Sequence, residues 1–197
     1  MNRKNKEFDE ITKRLEKYLP YKNQHNPQLV ITFAGIPSSG KTEIAKKLEK
    51  RYKAIRINGD LIYDLAKELG LASDYWDLEK IKCNYVLAFL VNNPFRNKLI
   101  ILDKGMDRMY EEFFALCKKN KLRYFLIQLN LSKADAINRI KKRDPKNWRS
   151  WLAKLDRWIK ENNNFKKISK ANLVFDANNV NLRRIYLEVE RILKNAA

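Results

Sequence analysis

Eight consecutive residues of this chain, Gly35-Ile36-Pro37-Ser38-Ser39-Gly40-Lys41-Thr42, have the types and spacing to hold a phosphate. They match G-x-x-x-x-G-K-[ST], the phosphate-binding P-loop. Its two glycines let backbone N–H groups turn inward around an anion. A helix starting there adds the positive end of its dipole. Gly35, Pro37, Ser38, Ser39, Gly40, Lys41 and Thr42 are the expected nucleotide-binding set. Lys41 is expected to reach the β- and γ-phosphates of ATP, and the Thr42 hydroxyl to ligate Mg²⁺. The bland alternative is a Gly-Ser turn that happens to carry Lys-Thr. The flanks argue against it. Residues 29–34 (LVITFA) read as a buried strand. Ile44, Ala45 and Leu48 then make an apolar helical stripe, with Lys46, Lys47, Glu49 and Lys50 outside it.

Two carboxylates stand where further strands end. Residues 53–57 read as a short strand closing on Asn58-Gly59-Asp60, and a helical pattern runs from residue 60 until Gly70 ends it. Asp60 therefore sits at the strand-to-helix edge where open parallel sheets bind ligands. It could serve only as a helix N-cap. Its functional roles would be general base for a substrate hydroxyl or indirect support of Mg²⁺. Residues 98–103 (KLIILD) end in Asp103, the Walker B form whose carboxylate faces Mg²⁺, although many buried strands end in Asp. Four of the five glycines, at 35, 40, 59 and 105, fall within two residues of these groups. That placement suggests close backbone approach to a ligand.

Cations for a transferring phosphoryl group come next. Ser132 caps a helix expected over residues 133–142, on which Arg139 and Arg143 stand four apart and share a face. Asp144-Pro145 breaks it, and Arg149 follows on a further helix with Trp148, Trp151, Leu155, Trp158 and Ile159 at helical spacing. The three arginines could form a lid that clamps phosphates. The alternative is a solvated face of a chain basic throughout. A tryptophan row is more often packing than a base-stacking platform.

The elements that must position these groups alternate. Residues 1–19 read as an amphipathic helix (Phe8, Ile11, Leu15, Leu19), stopped by Pro20 and followed by a connector to residue 28. The lone His25 in that connector is assigned no role. Helices are expected over 75–92, 106–120 and 180–193, and strands over 122–129 and 172–176. Such alternation argues an α/β fold, a parallel sheet wrapped by helices on both faces. The adenylate-kinase-like variety is expected, five-stranded with the P-loop strand central.

Composition sets outer bounds. Forty-two Lys+Arg against 23 Asp+Glu leave a net charge of +19. A polyanionic partner such as RNA or DNA would account for that surplus, and so would compositional drift in a chain rich in Lys, Asn and Ile. An apolar share of 45% excludes global disorder. Cys83 and Cys117 lie in helix-like stretches beside apolar neighbours and fit a reducing, cytoplasmic location. Residues 1–9 are too charged for a signal, and no apolar run approaches the ~20 residues a membrane span needs.

The order P-loop, strand-Asp60, strand-Asp103, strand, then Arg139-x-x-x-Arg143 resembles the P-loop kinases around polynucleotide 5′-hydroxyl kinase. That group includes zeta-toxin-like and seryl-tRNA kinase-like enzymes, and the resemblance spans about residues 29–165. It implies transfer of the γ-phosphoryl group of ATP to a hydroxyl with Mg²⁺. It implies Asp60 as general base, with Arg143 first and Arg139 second on the donor phosphates. It also implies a kinase domain over 29–197, with a lid region near 139–165, preceded by the helix and connector of 1–28. Two departures touch the acceptor. Tyr63 stands where D-x-x-R would place an arginine, and Asp103-Lys104-Gly105 stands where nucleic-acid relatives read D-x-N. Lys104 or Arg108 is the candidate replacement cation. The favoured acceptor is a nucleic-acid 5′-hydroxyl or an RNA-linked hydroxyl. The alternatives are a small metabolite (sugar, nucleoside or nucleotide-sugar) and a nucleotide-binding module that is no kinase.

Overall fold

A computed structural model describes residues 10–11, 13–14, 29–92, 99–168 and 171–195. At its centre is β1 (Leu29–Ala34), with every residue buried, as an unbroken apolar run requires in a sheet covered on both faces. The chain continues through α1 (Lys41–Tyr52), β2 (Ile55–Asn58), α2 (Gly59–Glu68), α3 (Tyr75–Asn92) and β3 (Leu99–Gly105). A 3₁₀ turn (Met106–Arg108) leads to α4 (Tyr110–Lys119), β4 (Arg123–Asn130), α5 (Lys133–Arg143), α6 (Trp148–Ile168), β5 (Leu173–Asp176) and α7 (Leu182–Lys194). The five strands pair in parallel in the order β2-β3-β1-β4-β5. This is the expected α/β architecture, with the P-loop strand central. The strand order reverses around β1, so the crevice at its carboxyl end is where a ligand belongs.

Helices cover both faces. Ile62, Leu65, Leu78, Val86 and Phe113 bury one side of the sheet from α2, α3 and α4. Ile44, Leu48, Ile185 and Val189 bury the other from α1 and α7. A smaller cluster joins Ile36 of the P-loop to Ala136 and Ile140 of α5 and to Leu155 and Trp158 of α6. The tryptophan row thus contributes to packing. The pairing of β1 with β3 skips between Thr32 and Phe33, from Leu102 to Gly105, leaving Asp103 and Lys104 out of that ladder. Such a bulge re-aims side chains at a sheet edge.

Several boundaries differ from expectation. Asn58, not Asp60, caps α2, its side chain accepting from the Asp60 N–H. β3 runs two residues past Asp103. The helix expected over 106–120 opens as the 3₁₀ turn, because Met109 at φ −150° breaks the helical run before Tyr110. Of the amphipathic helix over 1–19, residues 10–11 and 13–14 are helical, and Ile11 is fully buried in the α2–α4 side of the core. Phe8, Leu15, Leu19 and His25 lie outside the described residues. Among the described residues no helix is long and apolar enough to cross a membrane.

Candidate active site

The P-loop's shape rests on backbone that few side chains permit. Gly35 has φ +141°, and a Cβ there would stand 2.5 Å from the Leu129 carbonyl oxygen of β4. Ser38 is left-handed at φ 66° and Gly40 at φ 93°, the latter directly before α1. The loop forms one end of a cleft of about 850 Å³ at the carboxyl edge of the sheet. The rest of the lining comes from α2, α3, the end of β3 with the turn after it, and α5 and α6.

Lys41 points back into its own loop. Its ammonium donates to the Gly35 carbonyl at 2.6 Å, the Ile36 carbonyl at 2.9 Å and Ser39 Oγ at 3.3 Å. Burial lowers its pKa to about 8, against an upward pull from Asp107. An anion in the loop would replace those three neutral acceptors with phosphate oxygens.

Thr42 and Asp103 meet. Thr42 Oγ1 donates to Asp103 Oδ1 at 2.9 Å, and Asp103 Oδ2 accepts from Arg56 Nη1 at 2.8 Å. Arg56 Nε in turn donates to Glu49 Oε2 at 2.6 Å. Burial raises the Asp103 carboxyl, while the Thr42 hydrogen bond and Arg56 hold it down. A hydroxyl and a carboxylate are oxygen donors suited to Mg²⁺, which takes few protein ligands and completes its shell with phosphate oxygens and water. Among the described residues no group of three or more His, Cys, Asp or Glu could hold a metal by itself. These two residues therefore fit Mg²⁺ that arrives with a nucleotide.

Asp60 lines the same cleft, with its side chain 89% exposed and 4.0 Å from Lys82 Nζ. Since Asn58 supplies the cap, the Asp60 carboxylate is not committed to one.

The arginines part company. Arg139 is a half-buried tether, donating to the Ser38 carbonyl at 3.1 Å, the Ala177 carbonyl at 3.2 Å and Asn178 Oδ1 at 2.6 Å. It joins the P-loop to the segment after β5. Arg143 is exposed, lines the cleft and lies over the Trp151 ring at 4.6 Å. Arg149 stacks on Trp148 at 5.2 Å and is exposed, apart from the cleft-lining residues. The expected trio is therefore one tether, one cleft residue and one surface residue, because Asp144 and Asn147 turn the chain between α5 and α6.

Sequence reasoning passed over a buried ionic cluster on the α3 side of the cleft. Glu79 of α3 accepts from Lys82 through Oε1 and from Arg108 Nη1 at 2.9 Å through Oε2, with Lys104 Nζ 3.6 Å away. Burial alone would raise the Glu79 carboxyl, yet Lys104, Lys82 and Arg108 together hold it at about 2. The signal available was Glu79 and Lys82 three apart on one face of a helix otherwise read for its aromatics. Lys104 and Arg108, the candidate replacement cations, both reach the cleft. Behind it lies Asp107, 3% exposed, which accepts from Asn162 Nδ2 at 3.2 Å through Oδ2.

Comparison with known proteins bears on the fold and the family. A family model described as an AAA domain (AAA_18) matches residues 31–156. No curated protein matches the chain. Among solved structures, a gluconokinase from Sinorhizobium meliloti 1021 is 13% identical with a TM-score of 0.58, over 88% of this chain and 97% of that one. A shikimate kinase from Bacteroides thetaiotaomicron is 14% identical with a TM-score of 0.56, over 83% and 99%. A chain of the PezAT chromosomal toxin–antitoxin system of Streptococcus pneumoniae is 13% identical with a TM-score of 0.61, over 89% and 78%. At these identities the likeness is one of fold. It is the fold of P-loop kinases and does not single out the polynucleotide 5′-hydroxyl kinase group.

Proposed function

The chain belongs to the AAA_18 family of AAA domains, and from that premise we propose an ATP-dependent kinase that phosphorylates a hydroxyl of a small metabolite. The observation that carries the reading is the contact of Thr42 with Asp103 at the mouth of the P-loop, with the Asp60 carboxylate lining the same cleft. Residues 35–42 cradle the β- and γ-phosphates, and Lys41 turns from its loop carbonyls to them. Thr42 and Asp103 would hold Mg²⁺, which would offset charge on the β- and γ-phosphates. Asp60 takes the acceptor's hydroxyl proton as that oxygen attacks the γ-phosphorus. The bond from the γ-phosphorus to the bridging oxygen breaks, and ADP leaves with the electron pair. Arg143 meets the charge on the transferring group, and Arg139 keeps the loop in shape.

A small acceptor has better support than the nucleic-acid end favoured by charge and resemblance. Two of the structural neighbours are named for gluconate and shikimate phosphorylation. The lysines and arginine of the acceptor half face Glu79 rather than an open surface channel. The test offers γ-labelled ATP with 5′-hydroxyl oligonucleotides, tRNA, sugars, sugar acids and nucleosides at two salt concentrations. Label on a small molecule, insensitive to salt, supports the reading. Steeply salt-dependent transfer to an oligonucleotide overturns the acceptor class, since each phosphate contact would release counterions. Slow hydrolysis with no labelled acceptor overturns the kinase.

A further inference from the structure

The geometry points to an anion site in the acceptor half of the cleft, in which Lys82, Lys104 and Arg108 bind a carboxylate or phosphate group of the acceptor. The inference rests on the kinase reading for the acceptor's hydroxyl. The anion site itself stands on its own.

Three cations converge on the single carboxylate of Glu79. Lys82 and Arg108 take one oxygen each by hydrogen bond, while Lys104 Nζ, 3.6 Å from Oε2, is beyond hydrogen-bond reach. The side chains of Lys82 and Lys104 are 7% and 4% exposed. Two further carboxylates match the formal charge, and Asp107 adds to the pull on Arg108, but neither of the two lies within hydrogen-bond reach of the cluster's cations. Asp60 is 4.0 Å from Lys82, and Glu161 Oε2 is 3.7 Å from Arg108 Nε. Burying ammonium groups with incomplete partners costs several kcal/mol, and well-packed apolar side chains would commonly stabilise the same space better. An anion among Lys82, Lys104 and Arg108 removes that cost, and all three line the cleft.

Position ties the cluster to the acceptor. Gly59, at the start of α2 beside Asp60, leaves room for both lysines. A Cβ on it would lie 3.3 Å from Lys104 Cβ and 3.5 Å from Lys82 Cδ. Aromatic rings complete the walls: Tyr63 and Tyr75 lie 5.7 Å apart, and Tyr75 and Trp158 6.3 Å. Lys82 stands over Tyr63, and Arg108 over Trp158 at 4.8 Å. The fitting ligand has a hydroxyl for Asp60, C–H faces for the rings and one anionic group for the cations. That describes a hydroxy acid or a phosphorylated alcohol. Tyr63, standing where an arginine was expected, leaves the anion to Lys82, Lys104 and Arg108.

Titration calorimetry tests this with the P-loop occupied by Mg²⁺ and a non-hydrolysable ATP analogue. D-gluconate and D-glycerate are the carboxylate probes, and D-glucose 6-phosphate and glycerol 3-phosphate the phosphate probes. D-glucose and glycerol are the neutral controls. At least one anionic probe should bind about tenfold or more tightly than its neutral counterpart, as expected when a charged hydrogen bond is lost. Whichever arm binds names the anion. Lys104→Met should weaken that probe by a similar factor with the analogue's affinity unchanged, and Lys104→Arg should retain it. A folded Lys82→Met covers the case in which Lys104→Met fails to fold. Equal binding of neutral probes, indifference of the anionic probe to these variants, or no binding by any probe overturns the site. An anion that binds and accepts no label sinks the kinase reading alone. Label confined to neutral alcohols sinks the anion site alone.

Discussion

Lys41 is half-buried, with an ammonium hydrogen-bonded only to neutral oxygens of its own loop, so its charge is held weakly before a nucleotide arrives, with its pKa at about 8. Bound phosphates favour the charged form and raise that value. The sign follows. Below pH 8 the ammonium is already protonated, and above it binding must take up a proton. ATP affinity should therefore fall as pH rises from about 8, by at most about tenfold per pH unit. Calorimetry at pH 8.5 in buffers of different ionisation enthalpy should show the uptake, and its absence would mean that Lys41 is charged throughout. Asp60→Asn should lower kcat by roughly 10²–10⁴-fold with ATP affinity unchanged, because a base acts in the transition state. A near-wild-type kcat would leave Asp60 a surface residue. The arginines should separate by assay. Arg143→Ala should reduce kcat more than Arg149→Ala, since only Arg143 lines the cleft. Arg139→Ala should lower the melting temperature as well, because it removes three hydrogen bonds joining two loops. Melting temperatures equal for the two variants would contradict the tether.

The P-loop element depends on β4 as much as on its own motif. A methyl group at residue 35 would meet backbone, the Leu129 oxygen at 2.5 Å, at a φ of +141° that side chains avoid. Gly35→Ala should cost roughly 1–3 kcal/mol in backbone strain alone. Thermal unfolding should show a lowered midpoint, and nucleotide titration should show lost binding. A variant that binds ATP normally would mean the loop relaxes without β4. This pairing explains what could be read from sequence. β1, α1, α3 and α5 were legible because each has a local residue pattern and a local boundary signal, such as the Ser132 cap that receives the Asp135 N–H at 3.0 Å. The Thr42–Asp103 meeting was legible because the P-loop motif implies a metal-facing carboxylate one strand away. What escaped is tertiary. Asn58 rather than Asp60 caps α2 because the chain turns one residue earlier than the apolar period shows. The start of α4 is set by the Met106–Arg108 turn against α6. The Glu79 cluster unites α3 with the end of β3 and the turn after it, and beyond Lys82 no local pattern marks Lys104 and Arg108, which lie 25 and 29 residues from Glu79.

Across the whole molecule the same cluster links stability to pH. Forty-two basic against 23 acidic side chains give +19, and protonating every carboxylate would carry the charge towards +42. Two effects of acid then superimpose. General repulsion among surface cations grows, and it is screened in molar salt, where the Debye length is about 3 Å. The Glu79 contribution is different because that side chain is only 8% exposed. Its carboxyl is held at about 2 against an ordinary value of 4.5. A carboxyl depressed on folding stabilises above its unfolded pKa, and that stability is lost as pH falls through the window from about 4.5 to 2. A shift of this size corresponds to at most about 3 kcal/mol. Urea unfolding from pH 6 to pH 2.5 in molar salt should therefore still show stability falling below pH 4.5. Glu79→Gln should be less stable at pH 6, with Lys82, Lys104 and Arg108 facing no carboxylate at that position, and should lose much of that slope. If salt abolishes the acid slope of the wild type, or Glu79→Gln keeps it in full, the acid sensitivity belongs to the surface charge and not to the cluster.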